Sequence, residues 1–328
     1  MGSTSVTEML GGWERGARAL ALLDAARERG YLTFLSEPRT AEEVAEFAGY
    51  SAGEVLDALV AQGIAVRVDG KYQLEGQLAG ALSAGAPVDF AAQIERAALL
   101  ARQVGDVVRT GASAVTAGES VVIARSVALT PNDAARGVVT QILDAVPEMR
   151  DAITDGHLLD VGSGVGGFVL TTASLLPGLR ATSLELVPEV AAVAVERAKA
   201  LGVTDRVDIR AMDARDFEAL TPYDAVFWAQ PFFPEQTRAA TLAMIRRSLR
   251  PGGILLIQQL DAEPTDDDAR AAFTLPRLVA RAQGLPFART LDELVAEIEA
   301  AGFALVRTLD IDLGRIALLR RPEESREG

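Results

Sequence analysis

Apolar and polar positions follow one rhythm up to about residue 150 and another beyond it. In the first part the spacing is helical. Trp13 to Arg29 carries an apolar stripe that stops at Gly30. Thr40–Glu43 and Ser51–Glu54 both read Ser/Thr-x-x-Glu, in which side chain and backbone cap one another at a helix start, and Gly49 and Gly63 close the helices they open. Ile64 to Leu74 predicts a β-hairpin turning at Asp69-Gly70. Apolar helices follow at Phe90–Thr110 and, after the start signal Thr130-Pro131, at Asn132–Val146.

From His157 onward, short apolar strands alternate with helices, the pattern of an α/β fold. His157 to Val161 is a strand with an acid near its end, running into the glycine-rich stretch Gly162-Ser-Gly-Val-Gly-Gly167. Leu179–Glu185 predicts a second strand, and Pro188 opens a helix through Ala200. Arg206–Phe217 holds a third strand ending at Asp213, and Tyr223–Ala229 is a fourth. A helix over 235–249 leads through Arg250-Pro-Gly-Gly253 into Ile254–Ile257. The Thr265–Asp268 run reads as a solvated acidic loop. Thr290-Leu-Asp-Glu293 then caps the helix Leu291–Ala301, which Gly302 stops. Phe303–Val306 and Arg315–Leu319 read as strands around a short polar turn containing Gly314, and Arg321–Gly328 as a charged, mobile tail.

The chemistry concentrates at the strand ends. Glycines at 162, 164 and 166 allow positive φ and a close backbone approach to a ligand. Two templates fit: Asp160-x-Gly162-x-Gly164-x-Gly166 suits S-adenosylmethionine, and Gly162-x-Gly164-x-x-Gly167 suits a dinucleotide. Glu185 can accept hydrogen bonds from two ribose hydroxyls in either case. Asp213 separates them, because an acid closing the third strand can accept from an adenine exocyclic amine and a dinucleotide fold does not require it.

With the glycine loop, the acids closing strands two and three, and the Arg-Pro-Gly-Gly turn in this order, residues 157–258 resemble the class I S-adenosylmethionine-dependent methyltransferases. The resemblance implies a Rossmann-like seven-stranded sheet whose last strand inserts antiparallel. It implies cofactor contacts from Asp160, Gly162, Ser163, Gly164 and Gly166, from Glu185 and Leu186 at the ribose, and from Met212, Asp213, Ala214 and Trp228 around the adenine end. Residues 12–75 ahead of this unit are similar to the small-molecule O-methyltransferases whose winged-helix domain forms an intertwined homodimer and walls the acceptor pocket. The division expected is a mainly helical winged-helix dimerisation domain over 1–80, a helical linker with the acceptor region over 81–150, and the cofactor-binding domain over 151–328.

Bulk properties narrow the partners. A length of 328 residues suits about two domains at ~150 residues each. The absence of cysteine removes disulfides, thiolate metal sites and cysteine nucleophiles, and fits a cytoplasmic protein. No signal-like leader and no ~20-residue apolar run is present, so no membrane association is expected. A net charge of -14 opposes nucleic acid. The helix that would read DNA, Ala52–Gln62, offers Glu54 and Asp57, and the helix before it offers Glu42, Glu43 and Glu46. No metal site is expected, since no His/Asp/Glu cluster stands at ligand spacing.

Catalysis has no assigned base. Relatives of this type place a His after strand four, and here Trp228-Ala-Gln-Pro-Phe-Phe-Pro234 has none. The single His157 starts strand one, where a structural role is expected. Gln230, Phe232, Phe233 and Arg136 are the acceptor-side candidates, with Arg125 and Asp133 near the linker helix read as solvated. The function expected is methyl transfer to a small molecule, in secondary metabolism, by in-line displacement. Two alternatives stay open: an enzyme that binds S-adenosylmethionine for cyclisation, rearrangement or hydroxylation, and a DNA-binding regulator.

Overall fold

The computed structural model describes residues 5–49, 52–260, 262–311 and 314–323. The N-terminal part opens with α1 (Val6–Glu28), which starts seven residues ahead of the expected Trp13 because Ser5 and Glu8 form a capping box. Then come α2 (Tyr31–Phe34), α3 (Ala41–Ala48, capped by Thr40 and Glu43) and α4 (Ala52–Ala61). The Ser51 capping box lies outside the described residues. Strands β1 (Ala65–Val68) and β2 (Lys71–Leu74) form the hairpin, with Asp69 and Gly70 at φ of 51° and 80°, the two-residue turn that Asp-Gly encodes. Leu35, Val44, Leu56, Leu59 and Leu74 close one core beneath α1.

Four further helices lead to the sheet after the short α5 (Gly76–Ala81): α6 (Phe90–Thr110), α7 (Ala117–Val127), α8 (Asp133–Ala145) and α9 (Pro147–Ile153). The second half then runs β3 (His157–Val161), α10 (Gly167–Leu175), β4 (Arg180–Glu185), α11 (Pro188–Leu201), β5 (Val207–Ala211) and β6 (Tyr223–Trp228). It ends with α12 (Glu235–Ser248), β7 (Leu249–Gln259), α13 (Asp267–Ala282), α14 (Leu291–Ala300), β8 (Ala304–Ile311) and β9 (Gly314–Arg320). The seven strands lie in the order β5-β4-β3-β6-β7-β9-β8, parallel except for β9, which runs antiparallel to both neighbours.

Successive strand residues point to opposite faces. Leu159, Val161, Trp228, Leu255 and Ile257 pack beneath α12 and α14, while Leu158, Ala225 and Leu256 pack beneath α8 to α11. Both faces are covered, which is why β3 and β6 read as nearly unbroken apolar runs. The strand order reverses between β3 and β6, leaving a crevice at their C-terminal tips.

Two helices were not expected. α7 starts with a capping box of Thr116 and Glu119. α13 begins inside the run expected to be a solvated loop: the Asp266 side chain accepts from Ala269 N–H at 2.8 Å, and Pro276 in the helix interior obscures its period. The turn before Ile254 belongs to a longer strand, β7, and β8 extends five residues past Val306 to Ile311. The tail beyond Glu323 lies outside the described residues. No described helix is long and apolar enough to cross a membrane.

Candidate active site

Val161 lies opposite Trp228 where β3 and β6 end, and Ala229 N–H donates to Val161 C=O at 3.0 Å. Past Val161 the chain turns through Gly162, Gly164 and Gly166, at φ of 78°, 56° and 76°, a region any L side chain enters only with strain. Gly166 caps α10 without a side-chain hydrogen bond, so the first-turn N–H groups of α10 are left for other partners. β4 anchors the loop: Gly162 and Ser163 N–H donate to Leu184 C=O at 2.9 and 3.0 Å, and the Ser183 hydroxyl donates to that of Ser163 at 2.6 Å.

Two carboxylates address this loop. Glu185 accepts from Gly164 N–H at 3.0 Å and from Val187 N–H at 2.9 Å. Burial pushes its carboxyl above the ordinary value, against the downward pull of these N–H donors. Asp160, 1% exposed, has one oxygen, Oδ1, without a hydrogen-bond partner. Burial first, and the Glu185 charge second, raise its pKa to about 8, opposed by a hydrogen bond from Val169 N–H at the start of α10.

The third acid stands apart. Asp213, in the turn after β5, accepts from the Arg215 guanidinium at 2.7 to 3.1 Å through both oxygens and from Arg215 N–H at 2.9 Å. Arg215 thereby holds the Asp213 carboxyl below the usual carboxylate range. Met212 N–H donates to Glu185 C=O at 2.8 Å, joining the tips of β4 and β5, and Ala214 is buried beside them. Leu186 is exposed next to Glu185.

On the β6 side the expected residues occupy different settings. Phe233 lies on the glycine loop itself: a Cβ added at Gly162 would come within 2.6 Å of its ring, and the ring meets Trp228 edge-on with centroids 5.6 Å apart. Trp228 is fully buried, its Nε1 lacks a partner, and the Arg238 guanidinium stacks 4.7 Å from its ring. Gln230, expected at the acceptor, is 4% exposed and donates its carboxamide N–H to Gln258 C=O at 3.2 Å, while its backbone C=O accepts from Arg238 at 2.7 Å. That amide is engaged in holding the turn to β7. Phe232 is the exposed ring of the segment.

Arg136 sits on the exposed face of α8 with Asp133 4.0 Å away, outside the contacts that build the loop, and Arg125 pairs with Asp89 at 2.6 Å. His157 is at the opposite end of β3, its N–H donating to Asp224 and its ring 6.4 Å from that of Tyr223. Among the described residues, no cluster of His, Cys, Asp or Glu is arranged to hold a metal ion.

Two contributors escaped sequence reasoning. α7 lies over the loop, with the Ala124 methyl 3.7 Å from where a Cβ on Gly164 would stand. The Leu129 backbone closes on Gly167, and Arg197 of α11 ties both segments by donating to Leu129 C=O and Val165 C=O. The capping box at Thr116 was the signal for α7. The other is Arg238, 1% exposed and held bidentate by Glu297 at 2.6 and 2.8 Å, which no local pattern announces.

Residues 158–253 match the family described as a methyltransferase domain. Around it, similarity in sequence is partial: 28% identity over 159 residues with a sterol 4-C-methyltransferase of Caenorhabditis elegans, covering 47% of this chain and 46% of that protein. With a release factor glutamine methyltransferase of Vibrio cholerae, identity is 44% over 54 residues, 16% of this chain and 19% of that protein. The chain thus spans less than half the length of these curated relatives. Similarity in structure covers almost everything. The mitomycin 7-O-methyltransferase has a TM-score of 0.73 at 21% identity, over 96% of this chain and 97% of its own. Human N-acetylserotonin methyltransferase, solved with S-adenosylmethionine, has a TM-score of 0.68 at 20% identity, over 98% and 99%. The fold is that of class I S-adenosylmethionine-dependent methyltransferases of the O-methyltransferase type.

Proposed function

We propose that this protein is an S-adenosylmethionine-dependent methyltransferase acting on a small-molecule acceptor in secondary metabolism, in the cytoplasm. The observation that carries the reading is the buried, unpartnered Oδ1 of Asp160 at the mouth of a side-chain-free loop that Glu185 also addresses. Two carboxylates with no cationic side chain between them suit a donor that is itself a cation, so the residues present fit this cofactor. Asp160 and the backbone of Gly162, Ser163 and Gly164 would hold its amino-acid end, Glu185 and Leu186 its ribose, and Met212, Asp213 and Ala214 its adenine. When bound, S-adenosylmethionine supplies a methyl group on a positively charged sulfur.

The remaining work falls to positioning. Phe233 and Trp228 wall the β6 side of the loop and α7 roofs it, arrangements that exclude water and fix a narrow approach. No His stands in the Trp228–Pro234 segment, so the acceptor nucleophile would be one that needs no imidazole to remove its proton. Phe232 is the acceptor-side ring of this proposal, and Phe233 serves both partners.

Calorimetric titration with S-adenosylmethionine and S-adenosylhomocysteine tests the reading, followed by mass-spectrometric detection of S-adenosylhomocysteine formed with panels of phenolic, carboxylic and amine acceptors. Binding of both nucleosides is expected. Absence of heat, together with no shift of thermal unfolding by either, overturns it. A homodimer belongs to the same proposal, supported by the α1 stripe of Val6, Met9, Leu10 and Trp13, spaced at helical intervals and exposed.

A further inference from the structure

Asp160 sits on the face of β3 that packs against α10, two residues beyond Leu158. Among the described residues its surroundings contain no countercharge. From β4, Ser183 is its register partner and spends its hydroxyl on Ser163, while Glu185 contributes a second carboxylate. From β6, its register partner is Phe227. α10 offers only the Val169 N–H. On α11, Arg197 is directed at the carbonyls of Leu129 and Val165, and on α7, Ala124 faces the loop while Arg125 is paired with Asp89. Among the described residues neither Asp160 nor Glu185 forms an ion pair.

Two carboxylates in a low-dielectric site cannot both hold full charge without a cation, and one takes a proton instead. We propose that in the ligand-free protein Asp160 is the protonated member of this pair, and that an adenosyl ligand carrying an ammonium or sulfonium group displaces that proton on entering the loop. Donor binding is then coupled to the release of one proton. The O–H bond of Asp160 breaks, its electron pair stays on the carboxylate, and the proton passes to solvent. The ligand's positive charge takes the place that a lysine or arginine would occupy elsewhere. The inference rests on the proposed cofactor and adds to it a charge-selective, pH-dependent mode of recognition.

The pKa of about 8 at Asp160 sets the window. Below it the proton must be expelled, so affinity rises with pH by up to about tenfold per unit. Above it the carboxylate is already charged and affinity levels off. A neutral adenosyl compound gains nothing from the exchange.

Calorimetry on the full chain in buffers of different ionisation enthalpy, such as phosphate and Tris, counts the protons. With S-adenosylhomocysteine, whose α-amine is an ammonium at pH 7, close to one proton is expected to leave at pH 7. At pH 9, where Asp160 is already ionised and part of the free ligand has lost its ammonium proton, release is expected to vanish or turn into net uptake. Adenosine should release none. Asp160→Asn should bind without proton release at any pH, at least tenfold more weakly at pH 9. Glu185→Gln, which removes the neighbouring charge, should move the half-point of release to lower pH, and it keeps the test decisive if Asp160→Asn does not fold. Binding of S-adenosylhomocysteine with no proton released at pH 7, or with release unchanged in Asp160→Asn, overturns the coupling and leaves the cofactor assignment standing. No binding of either adenosyl ligand overturns both.

Discussion

A carboxyl whose pKa is raised by burial gives the folded state a pH dependence of definite sign. At Asp160 the proton is retained up to about 8 in the folded chain and lost near 3.8 in the unfolded one. Between those values the folded state binds the extra proton, so its contribution to stability is complete below the lower value and is lost as pH climbs through the upper. Asp160→Asn, which removes the charge and keeps the shape, should therefore raise the thermal midpoint of the ligand-free protein by several degrees at pH 8.5 and by clearly less at pH 5, read by scanning calorimetry. Gly162 makes a second prediction at this scale. Alanine there must accept a φ of 78° and displace the Phe233 ring. Gly162→Ala should cost about 1–2 kcal/mol for the backbone alone, measured by urea unfolding, and should weaken S-adenosylhomocysteine binding. The three glycines and two acids of this loop were legible in sequence because their chemistry is local: a missing Cβ and an acid at a strand end mean the same thing in any such fold. The unpartnered oxygen of Asp160 was not, since it depends on which side chains the neighbouring elements withhold.

Elements place the loop's neighbours. The segment after β6 is fixed from below by Arg238 of α12, which stacks on Trp228, bonds the Gln230 carbonyl and is held by Glu297 of α14. Arg289 extends the chain of charges from Glu297 to Glu235. Glu297 keeps Arg289 when Arg238 is removed, so the cost falls on the emptied volume beneath Trp228 and the lost bond to the Gln230 carbonyl, and Arg238→Ala should destabilise the domain by about 2–4 kcal/mol in urea unfolding. Glu297→Gln, which retains a hydrogen-bonding oxygen, should cost less. The gap between the two tests whether the guanidinium or merely the volume supports Trp228. Of the two helices that sequence reasoning passed over, α7 carried a readable capping box, whereas α13 hid its period behind Pro276. The setting of Gln230 was hidden for a different reason: its amide meets Gln258 on β7, a contact between residues 28 apart that no local pattern encodes.

At the scale of the molecule, the N-terminal half presents an apolar stripe that the described residues leave exposed. The exposed stripe on α1 includes Trp13, 67% exposed, while the C-terminal half of the same helix is held to α6 by the Arg27–Glu95 ion pair and by packing of Leu22 and Leu23. A helix half buried and half bare suits a second copy of the chain. Sedimentation at micromolar concentration should give twice the 34.6 kDa chain mass, and Trp13→Glu combined with Leu10→Glu should return it to the monomer value. A monomer in the unmodified protein would leave the stripe unexplained by self-association.

Sequence alone determined the α/β class, the order of strands and helices from His157 to Ile257, the hairpin at Asp69-Gly70 and the acids at three strand ends. These follow from periodicity, turn chemistry and the absence of side chains at glycine, all of which act within a few residues. Tertiary structure alone decided that α7 roofs the loop, that Phe233 lies against Gly162, that Arg215 occupies Asp213, and that the Glu185 charge acts on a buried Asp160 with, among the described residues, no ion pair to either. Each of those outcomes depends on which surfaces remain when the two halves of the chain pack together, and pairwise contacts across long separations leave no signature in the residues on either side.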